Sequence, residues 1–316
     1  GWLVGWLVGW LVGWLVAWFD AIRGSRSWIG SNTSDAQDTS GSAYLASFDS
    51  DGFTTTDTDV VGKDGETYAS WNWKANGAGS ANTDGSINTT ATSASTTSGF
   101  SIVQYTGTGS AGTIGHGLGA VPKMILVKRT SSSDSWTVGH NSLGWGKFLR
   151  LDTTAAESSN TSTWNNTAPT NQVFSVNHAD TNDNTRTFVA YCFAEKTGYS
   201  KFGSYTGNGS TDGTFVYTGF KPAFVIYKGA SGSGTADNWE MLDNKRTDGP
   251  IGNPKNETLY PNVNNAEGVN ATDRMDFLSN GFKLRTSGAD YNNSSATYVY
   301  MAFGQSLVGS NGVTAK

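Results

Sequence analysis

Cysteine, histidine, proline and charge are all scarce in this chain of 316 residues. It has one cysteine, Cys192, and three histidines, His116, His140 and His178. A single cysteine excludes an intrachain disulfide and any metal site built on several cysteines. The histidines show neither the His-x-x-His nor the His-Glu-x-x-His spacing of zinc enzymes. We therefore expect no cofactor.

Charged residues make up 15% of the chain, below the roughly 25% of an average protein, and the formal net charge is −5. An acidic balance with no run of lysine or arginine argues against a nucleic-acid partner. The chain also lacks a Gly-x-Ser-x-Gly nucleophile elbow, a P-loop and a dinucleotide-binding fingerprint. These absences favour a protein that is not an enzyme. Aromatic residues reach 12%, which is enough to bury a core.

An internal repeat of about 100 residues organises the chain. Residues 105–110 recur as residues 205–210, and residues 122–128 recur as residues 222–228. The repeat predicts a partial first module over residues 1–79, a Ser/Thr-rich linker or strand over 80–99, full modules over 100–198 and 199–308, and a tail over 309–316.

The first copy lacks its early segments, and their place is taken by Gly-Trp-Leu-Val repeated four times over residues 1–16. This anomalous tract has two interpretations, a marginal membrane span or an extended β segment that completes the module. We favour the β segment, with Trp and Val on one face, and expect no membrane insertion. The residues after the tract echo the last copy: Trp18, Asp20 and Arg23 correspond to Trp239, Asp243 and Arg246.

Each copy has the pattern of a β domain. Short β-branched or aromatic segments alternate with Gly, Pro and Ser turns, and no window keeps a 3.6-residue apolar period over three turns. We predict an all-β fold of tandem β-sandwich modules, jelly-roll or lectin-like, of about 100 residues each with little helix. Short helical turns are expected near residues 153–157 and 264–267. The predicted strands of the second copy span residues 100–105, 123–128, 148–151, 173–176 and 187–193.

Two acidic loops are candidate calcium sites. The Asp-Ser-Asp-Gly run at 49–52 is better explained as a turn, because the matching position of the last copy is Asn280-Gly281 and such pairs tolerate a positive φ. The second loop carries four carboxylates within ten residues, which could hold Ca²⁺, although a solvated variable loop is the favoured interpretation. These secondary calcium candidates are Asp57, Asp59, Asp64 and Glu66, and we expect no other metal site.

Aromatic residues that occur in one copy only are the candidate ligand-binding residues. Trp145 leads them, because flanking glycines leave its ring little to pack against, and Tyr260 and Tyr291 are the others. Exposed aromatic rings on loops often stack on sugars or contact partners. The run at 115–119 around His116 is interpreted as a glycine-bent turn.

Several segments resemble a domain of unknown function found in tail-associated proteins of marine bacteriophages. The resemblance extends over about residues 18–308. It rests on residues 47–53, 69–77, 99–109, 115–128, 190–195, 199–209 and 277–284.

This resemblance implies an extracellular virion structural protein, most simply a tail fibre or other appendage. It would bind a host-surface glycan or receptor through its loops without catalysis. The implied partners are other virion proteins, and the class implies a homo-oligomer, such as a trimer.

Two alternatives are a capsid-decorating or head-fibre virion protein, and a bacterial cell-surface adhesin. A third alternative is a glycan-cleaving enzyme, which needs two carboxylates about 5–10 Å apart. The candidate carboxylate pairs for such an enzyme are Asp152 with Glu157 and Asp237 with Glu240.

Overall fold

The computed structural model describes residues 6–9, 16–39, 44–56, 61–232, 237–246, 252–269 and 274–304, of which 6–9 are described by their backbone alone. Strands are the dominant regular structure of this described part and helix is confined to a few short turns, so the all-β prediction is confirmed. The chain divides into two compact units. Unit 1 comprises Gly1–Ala194 and Tyr260–Ala266, and unit 2 comprises Glu195–Leu259 and Glu267–Lys316.

Unit 1 is built on one four-stranded and one seven-stranded antiparallel sheet, with two strand pairs beside them. A 3₁₀ turn at Asn141–Leu143 and a one-turn helix, α1 (Ala179–Asn182), interrupt the strands. The strands are β1 (Trp6–Gly9), β2 (Ala17–Asp20), β3 (Gly24–Gly30), β4 (Leu45–Phe48), β5 (Phe53–Thr55), β6 (Trp71–Lys74), β7 (Thr89–Ser95), β8 (Phe100–Thr106), β9 (Gly112–Gly115), β10 (Pro122–Arg129), β11 (Thr137–His140), β12 (Lys147–Arg150), β13 (Ser158–Ser159), β14 (Val173–Val176) and β15 (Thr187–Ala194).

The sheet orders in unit 1 are β3-β2-β1-β6 and β13-β12-β11-β10-β15-β8-β7, with β14-β9 and β4-β5 as the separate pairs. Ile114 of β9 and Phe174 of β14 share one hydrophobic core with Ile125, Val127 and Phe188 of the larger sheet. The β9–β14 pair therefore covers one face of that sheet.

Unit 2 repeats this arrangement with fewer strands. A one-turn helix, α2 (Ala289–Asn292), lies between its last two strands. The strands are β16 (Ser200–Thr206), β17 (Phe215–Tyr217), β18 (Pro222–Ser231), β19 (Glu240–Asp243), β20 (Glu257–Thr258), β21 (Gly268–Val269), β22 (Met275–Leu278), β23 (Gly281–Leu284) and β24 (Thr297–Gly304).

The two units share a strand order that follows the sequence repeat. Sheet β16-β24-β18-β19 of unit 2 corresponds to β8-β15-β10-β11 of unit 1, and the pairing of β17 with β23 corresponds to that of β9 with β14. The registers agree as well, since Met124 pairs with Phe193 and Phe224 pairs with Phe303. The repeated residues thus occupy equivalent places in equivalent strands.

Matched tyrosines anchor the two cores. Tyr105 stacks on Phe188 with ring centroids 5.3 Å apart, and Tyr205 stacks on Tyr298 at 4.9 Å. Both phenol hydroxyls donate to the short helix of their unit, Tyr105 to the carbonyl of Thr181 and Tyr205 to the carbonyl of Tyr291. A buried tyrosine needs such a partner, so these two hydrogen bonds fix α1 and α2 on the sheets.

Within the N-terminal tract, Trp6–Gly9 forms strand β1 between β2 and β6, and Val16 is buried just before β2. For Trp6–Gly9 the extended-strand prediction is confirmed, and residues 1–5 and 10–15 lie outside the described residues. Residues 89–95 of the predicted linker or strand form β7, at the edge of the seven-stranded sheet. Within the described ranges, no helix is long and apolar enough to cross a membrane.

The helical turns predicted near residues 153–157 and 264–267 are wrong. The Thr153 hydroxyl instead accepts a hydrogen bond from the Ala155 N–H, which closes a local turn that competes with helix. The observed helix α1 begins after His178, whose ring Nδ1 accepts from the Asp180 N–H and so caps the helix. The interpretation of residues 49–52 as a turn is confirmed, because they connect β4 and β5 with the Asp49 N–H donating to the Gly52 carbonyl.

After each of the equivalent strands β2 and β19, the chain makes a turn that an aspartate side chain closes by hydrogen bonds to the backbone. Asp20 accepts from the backbone N–H groups of Ile22 and Arg23, and Asp243 accepts in the same way from Lys245 and Arg246. Each aspartate also pairs with the arginine three residues on. The sequence echo of Asp20 and Arg23 in unit 2 is thus a shared turn.

The second copy keeps this turn with another side chain. His140 stands opposite Met124 in the register, where Asp243 stands opposite Phe224. Its Nδ1 accepts from the Ser142 N–H at 3.1 Å. An imidazole nitrogen therefore replaces the carboxylate as the turn acceptor, and His140 has a structural role.

Glu240 is a buried acid in the core of unit 2. Only 1% of the residue is exposed, and its Oε2 accepts a 2.9 Å hydrogen bond from the Tyr227 hydroxyl. Burial raises the pKa of Glu240 to about 8, against the opposing effects of the Tyr227 hydrogen bond and the Arg274 charge. The folded protein therefore holds a proton that the unfolded chain releases at a pKa of 4.5.

We expect Glu240 to make the folded state less stable as pH rises. Between its unfolded pKa of 4.5 and its folded pKa of about 8, the folded state binds more protons than the unfolded state, so the free energy of unfolding falls with pH. Urea unfolding followed across this pH window measures the slope. Glu240→Gln should flatten it, whereas the exposed control Glu66→Gln should not, and an equal slope in Glu240→Gln would contradict the assignment.

Candidate functional site

A pocket of about 440 Å³ opens where strand β3 ends in unit 1. This volume falls within the range of roughly 300–1,000 Å³ that is usual for small-molecule sites. Its walls combine one aromatic ring, two carboxylates, an amide and small residues. The lining residues are Trp28, Gly30, Thr33, Asp35, Ala36, Gln37, Asp38 and Thr39.

The loop over residues 31–39 builds one wall by folding back along β3. The backbones of Trp28 and Asp38 exchange two hydrogen bonds, of 3.2 and 3.0 Å. The loop is also bound to the segment that follows β10, since Gln37 N–H donates to the Thr130 carbonyl at 3.0 Å and the Ser34 carbonyl accepts from Asp134. Main-chain hydrogen bonds on both sides hold the pocket in shape before any ligand arrives.

Trp28 supplies the aromatic wall. Its ring meets Tyr44 edge-on, with centroids 5.7 Å apart and the planes at 82°. Its indole N–H is buried and has no hydrogen-bond partner among the described residues.

Gly30 keeps the pocket open. A Cβ atom at this position would lie 3.0 Å from the Thr33 hydroxyl oxygen and 3.7 Å from Cζ3 of Trp28. The Gly30 carbonyl meanwhile accepts a 2.8 Å hydrogen bond from the indole of Trp136, which fixes the end of the strand. A larger residue at this position would therefore intrude on the pocket.

The pocket is acidic because Asp35 and Asp38 line it, and its described lining includes no Lys or Arg. The Asp35 carboxylate acts electrostatically on Lys128. Its Nζ is buried and donates to the backbone carbonyls of Ser34, Arg129 and Asp134. Burial lowers the pKa of Lys128 to about 8, with Asp152, Asp134 and Asp35 raising it in opposition. This ammonium group thus holds the loop in place without entering the pocket.

The interpretation of Trp145 as an exposed, binding aromatic is wrong. Only 7% of the residue is exposed, and its ring packs edge-on against Trp164, with centroids 5.5 Å apart. Both indoles lie over Gly139 of β11, where a Cβ atom would come within 2.6 Å of Trp145 and 2.8 Å of Trp164. Trp145 therefore belongs to the core, because a distant glycine opens a slot for its ring.

Tyr291 is also buried, with 6% exposed, so its choice as an exposed aromatic is wrong. The Arg274 guanidinium lies 3.9 Å from its ring centroid and covers it. Tyr260 is half-buried and does not line the Trp28 pocket. Its binding role stays a prediction.

The secondary calcium candidates are not brought together in the described part of the chain. Asp64 and Glu66 are exposed, and Glu66 pairs with Lys63 at 3.5 Å. Asp57 and Asp59 lie outside the described residues. Across the described ranges, no group of three or more acidic, histidine or cysteine residues is placed to hold a metal ion.

The carboxylate pairs considered for glycan cleavage are placed for structural roles. Asp152 accepts from the Trp136 N–H at 3.1 Å, and Glu157 pairs with Lys147 at 2.6 Å. Asp237 and Glu240 are 3% and 1% exposed, so they lie inside unit 2, away from any substrate. His116 is likewise buried, and Gly117 and Gly119 beside it have positive φ, as the predicted glycine-bent turn requires.

Sequence reasoning missed Trp28, although one signal was available. It is an aromatic residue followed closely by a polar loop with two aspartates, and it belongs to the partial copy. Attention to the full repeats left that loop out of the candidate residues.

The comparisons with known proteins give a family without a known activity. No curated protein and no solved structure matches the chain. One protein family matches residues 14–306, which covers both units, and it is described as a domain of unknown function (DUF7483). The chain belongs to this DUF7483 family.

Proposed function

We propose that this chain is a structural protein of a bacteriophage virion, a tail fibre or related appendage, and that it binds a host-surface glycan without catalysis. The Trp28 pocket is the observation that carries the binding role. It offers one aromatic ring with carboxylate, amide and hydroxyl groups around it, the combination that holds the apolar face and the hydroxyls of a sugar. The virion role is supported by the resemblance of segments such as residues 99–109 and 115–128 to phage tail-associated proteins.

In this proposal residues 100–198 and 199–308 are tandem β-sandwich modules, and residues 1–79 are a partial one. Support comes from their common strand order and from the shared core of β9, β14 and the larger sheet. The appendage would be a homo-oligomer, extracellular in the virion, with other virion proteins as partners. Repetition of one rigid module suits a protein that works outside the cell without disulfides.

Replacing Trp28 tests the binding role. We expect Trp28→Ala to weaken binding to purified host-surface polysaccharide roughly 30-fold, the effect of losing a contact worth about 2 kcal/mol. The half-buried Trp71, which does not line the pocket, provides the matched control as Trp71→Ala. Titration calorimetry gives the affinities, and circular dichroism shows that both variants fold.

Equal affinity of Trp28→Ala and the unmodified chain would contradict binding at this pocket. New reducing ends after incubation of the chain with the polysaccharide would contradict the non-catalytic role. Gold-labelled antibody against the chain should mark the tails of intact particles in electron micrographs. Label on the capsid shell would instead identify a head-fibre or decorating protein.

A further inference from the structure

We infer that the Trp28 pocket, in its proposed glycan-binding role, selects sugars that carry a positively charged amino group and excludes acidic sugars. The inference rests on that proposed function and adds the chemical class of the ligand. It follows from the charges and the aromatic ring that line the pocket.

The charges that face the pocket are all negative. Asp35 is exposed and Asp38 half-buried, and both line the cavity. An acidic sugar would bring a third carboxylate into this space without a cation to receive it. Like charges a few ångströms apart repel by about 1–4 kcal/mol near a protein surface.

The cations behind the pocket wall are occupied elsewhere. The Lys128 ammonium is bound by three carbonyl groups and is fully buried. The Arg23 guanidinium pairs with Asp20 and donates to the carbonyl of Trp18 and the hydroxyl of Tyr191. Its remaining contact toward the pocket is a long one, of 3.5 Å, to the side-chain oxygen of Gln37. Neither cation offers a free donor to an anionic ligand.

The aromatic wall favours a cation as well. A positive group near the face of a tryptophan gains about 0.5–2 kcal/mol, more than it gains from tyrosine or phenylalanine. A pyranose with an ammonium group supplies the positive charge and an apolar face for the ring.

Three monosaccharides with the same ring configuration but different charge separate the effect of charge from that of ring stacking. The full-length chain is titrated at pH 5.5 with the methyl glycosides of glucosamine, glucose and glucuronic acid. At this pH the amine of glucosamine is protonated and the carboxyl group of glucuronic acid is ionised. We expect glucosamine to bind about tenfold more tightly than glucose and glucuronic acid to bind too weakly to measure.

Replacing each of the two aspartates by neutral asparagine tests whether their charge causes the preference for glucosamine. Asp35→Asn and Asp38→Asn should each reduce the preference for glucosamine over glucose by about threefold, because each removes one charge and keeps the side-chain shape. Asp51→Asn is the matched control, since Asp51 is exposed and does not line the pocket. Added salt should lower the preference in the unmodified chain.

Two contrary results have different meanings. If glucose and glucosamine bind equally and both lose affinity in Trp28→Ala, selection by charge is overturned while the glycan site stands. If Trp28→Ala leaves the binding of host polysaccharide unchanged, the proposed function falls and this inference falls with it.

Discussion

Arg23→Ala should destabilise unit 1 by about 3–5 kcal/mol, the usual cost of breaking a buried ion pair from one side. Asp20 and the Arg23 side chain are fully buried, and the pair lies at the turn between β2 and β3. Removing the guanidinium leaves the carboxylate with two backbone N–H groups and the Tyr191 hydroxyl, which donates at 2.7 Å. Those hydrogen bonds do not balance a full buried charge.

The equivalent pair in unit 2 is the control for this prediction. Arg246 also pairs with the aspartate three residues before it, but 12% of its side chain is exposed and it shares a second carboxylate, Glu267, at 2.8 Å. Arg246→Ala should therefore cost less than Arg23→Ala. Urea unfolding, with hydrogen exchange to locate the change, measures both. Equal losses would show that burial does not set the difference between the two turns.

Trp164→Ala should be comparably damaging, by about 3–5 kcal/mol, the usual loss for a buried tryptophan replaced by alanine. Trp164 is fully buried and supports the edge-on contact with Trp145 above Gly139. Its loss opens a cavity in a core whose neighbours are strands and cannot easily collapse. Trp71→Ala, at a half-buried position in β6, should cost clearly less.

Hydrogen exchange shows which strands and loops lose stability in Trp164→Ala. Peptides that cover β11 and residues 160–167 should lose protection in Trp164→Ala. Unchanged protection there, or a loss of stability equal to that of Trp71→Ala, would contradict the placement of Trp145 and Trp164 in the core.

The sequence was informative where local pattern and repetition act together. The strands over residues 100–105, 123–128 and 173–176 were predictable because short apolar segments bounded by turn residues have few alternatives. The repeat also matched Asp20 and Arg23 with Asp243 and Arg246, but the turn that each pair closes is seen only in the structure. Glu240 could not be assigned to a core from sequence, since its burial depends on Tyr227 and on a distant Arg274.

The candidate site was harder to predict, because exposure is a tertiary property. Trp145 has glycine neighbours and yet is buried, since Gly139 on another strand makes room for it. Trp28 lies in a strand and yet lines a pocket, since the following loop folds back along the strand and is also bound to Thr130 and Asp134. The residues that set the exposure of each ring, Gly139 for Trp145 and Thr130 with Asp134 for Trp28, do not adjoin that tryptophan in sequence.

The central claim, that the Trp28 pocket binds glycan, is tested most directly at the Trp28 indole. The tryptophan indole signals of ¹⁵N-labelled chain are followed by NMR during titration with fragments of host-surface polysaccharide, and Trp28→Phe identifies the Trp28 signal. We expect that signal to shift with saturation as the ligand packs against the ring, while those of the buried Trp145 and Trp164 stay in place. Saturable binding of the fragments with the Trp28 signal unmoved would contradict the claim.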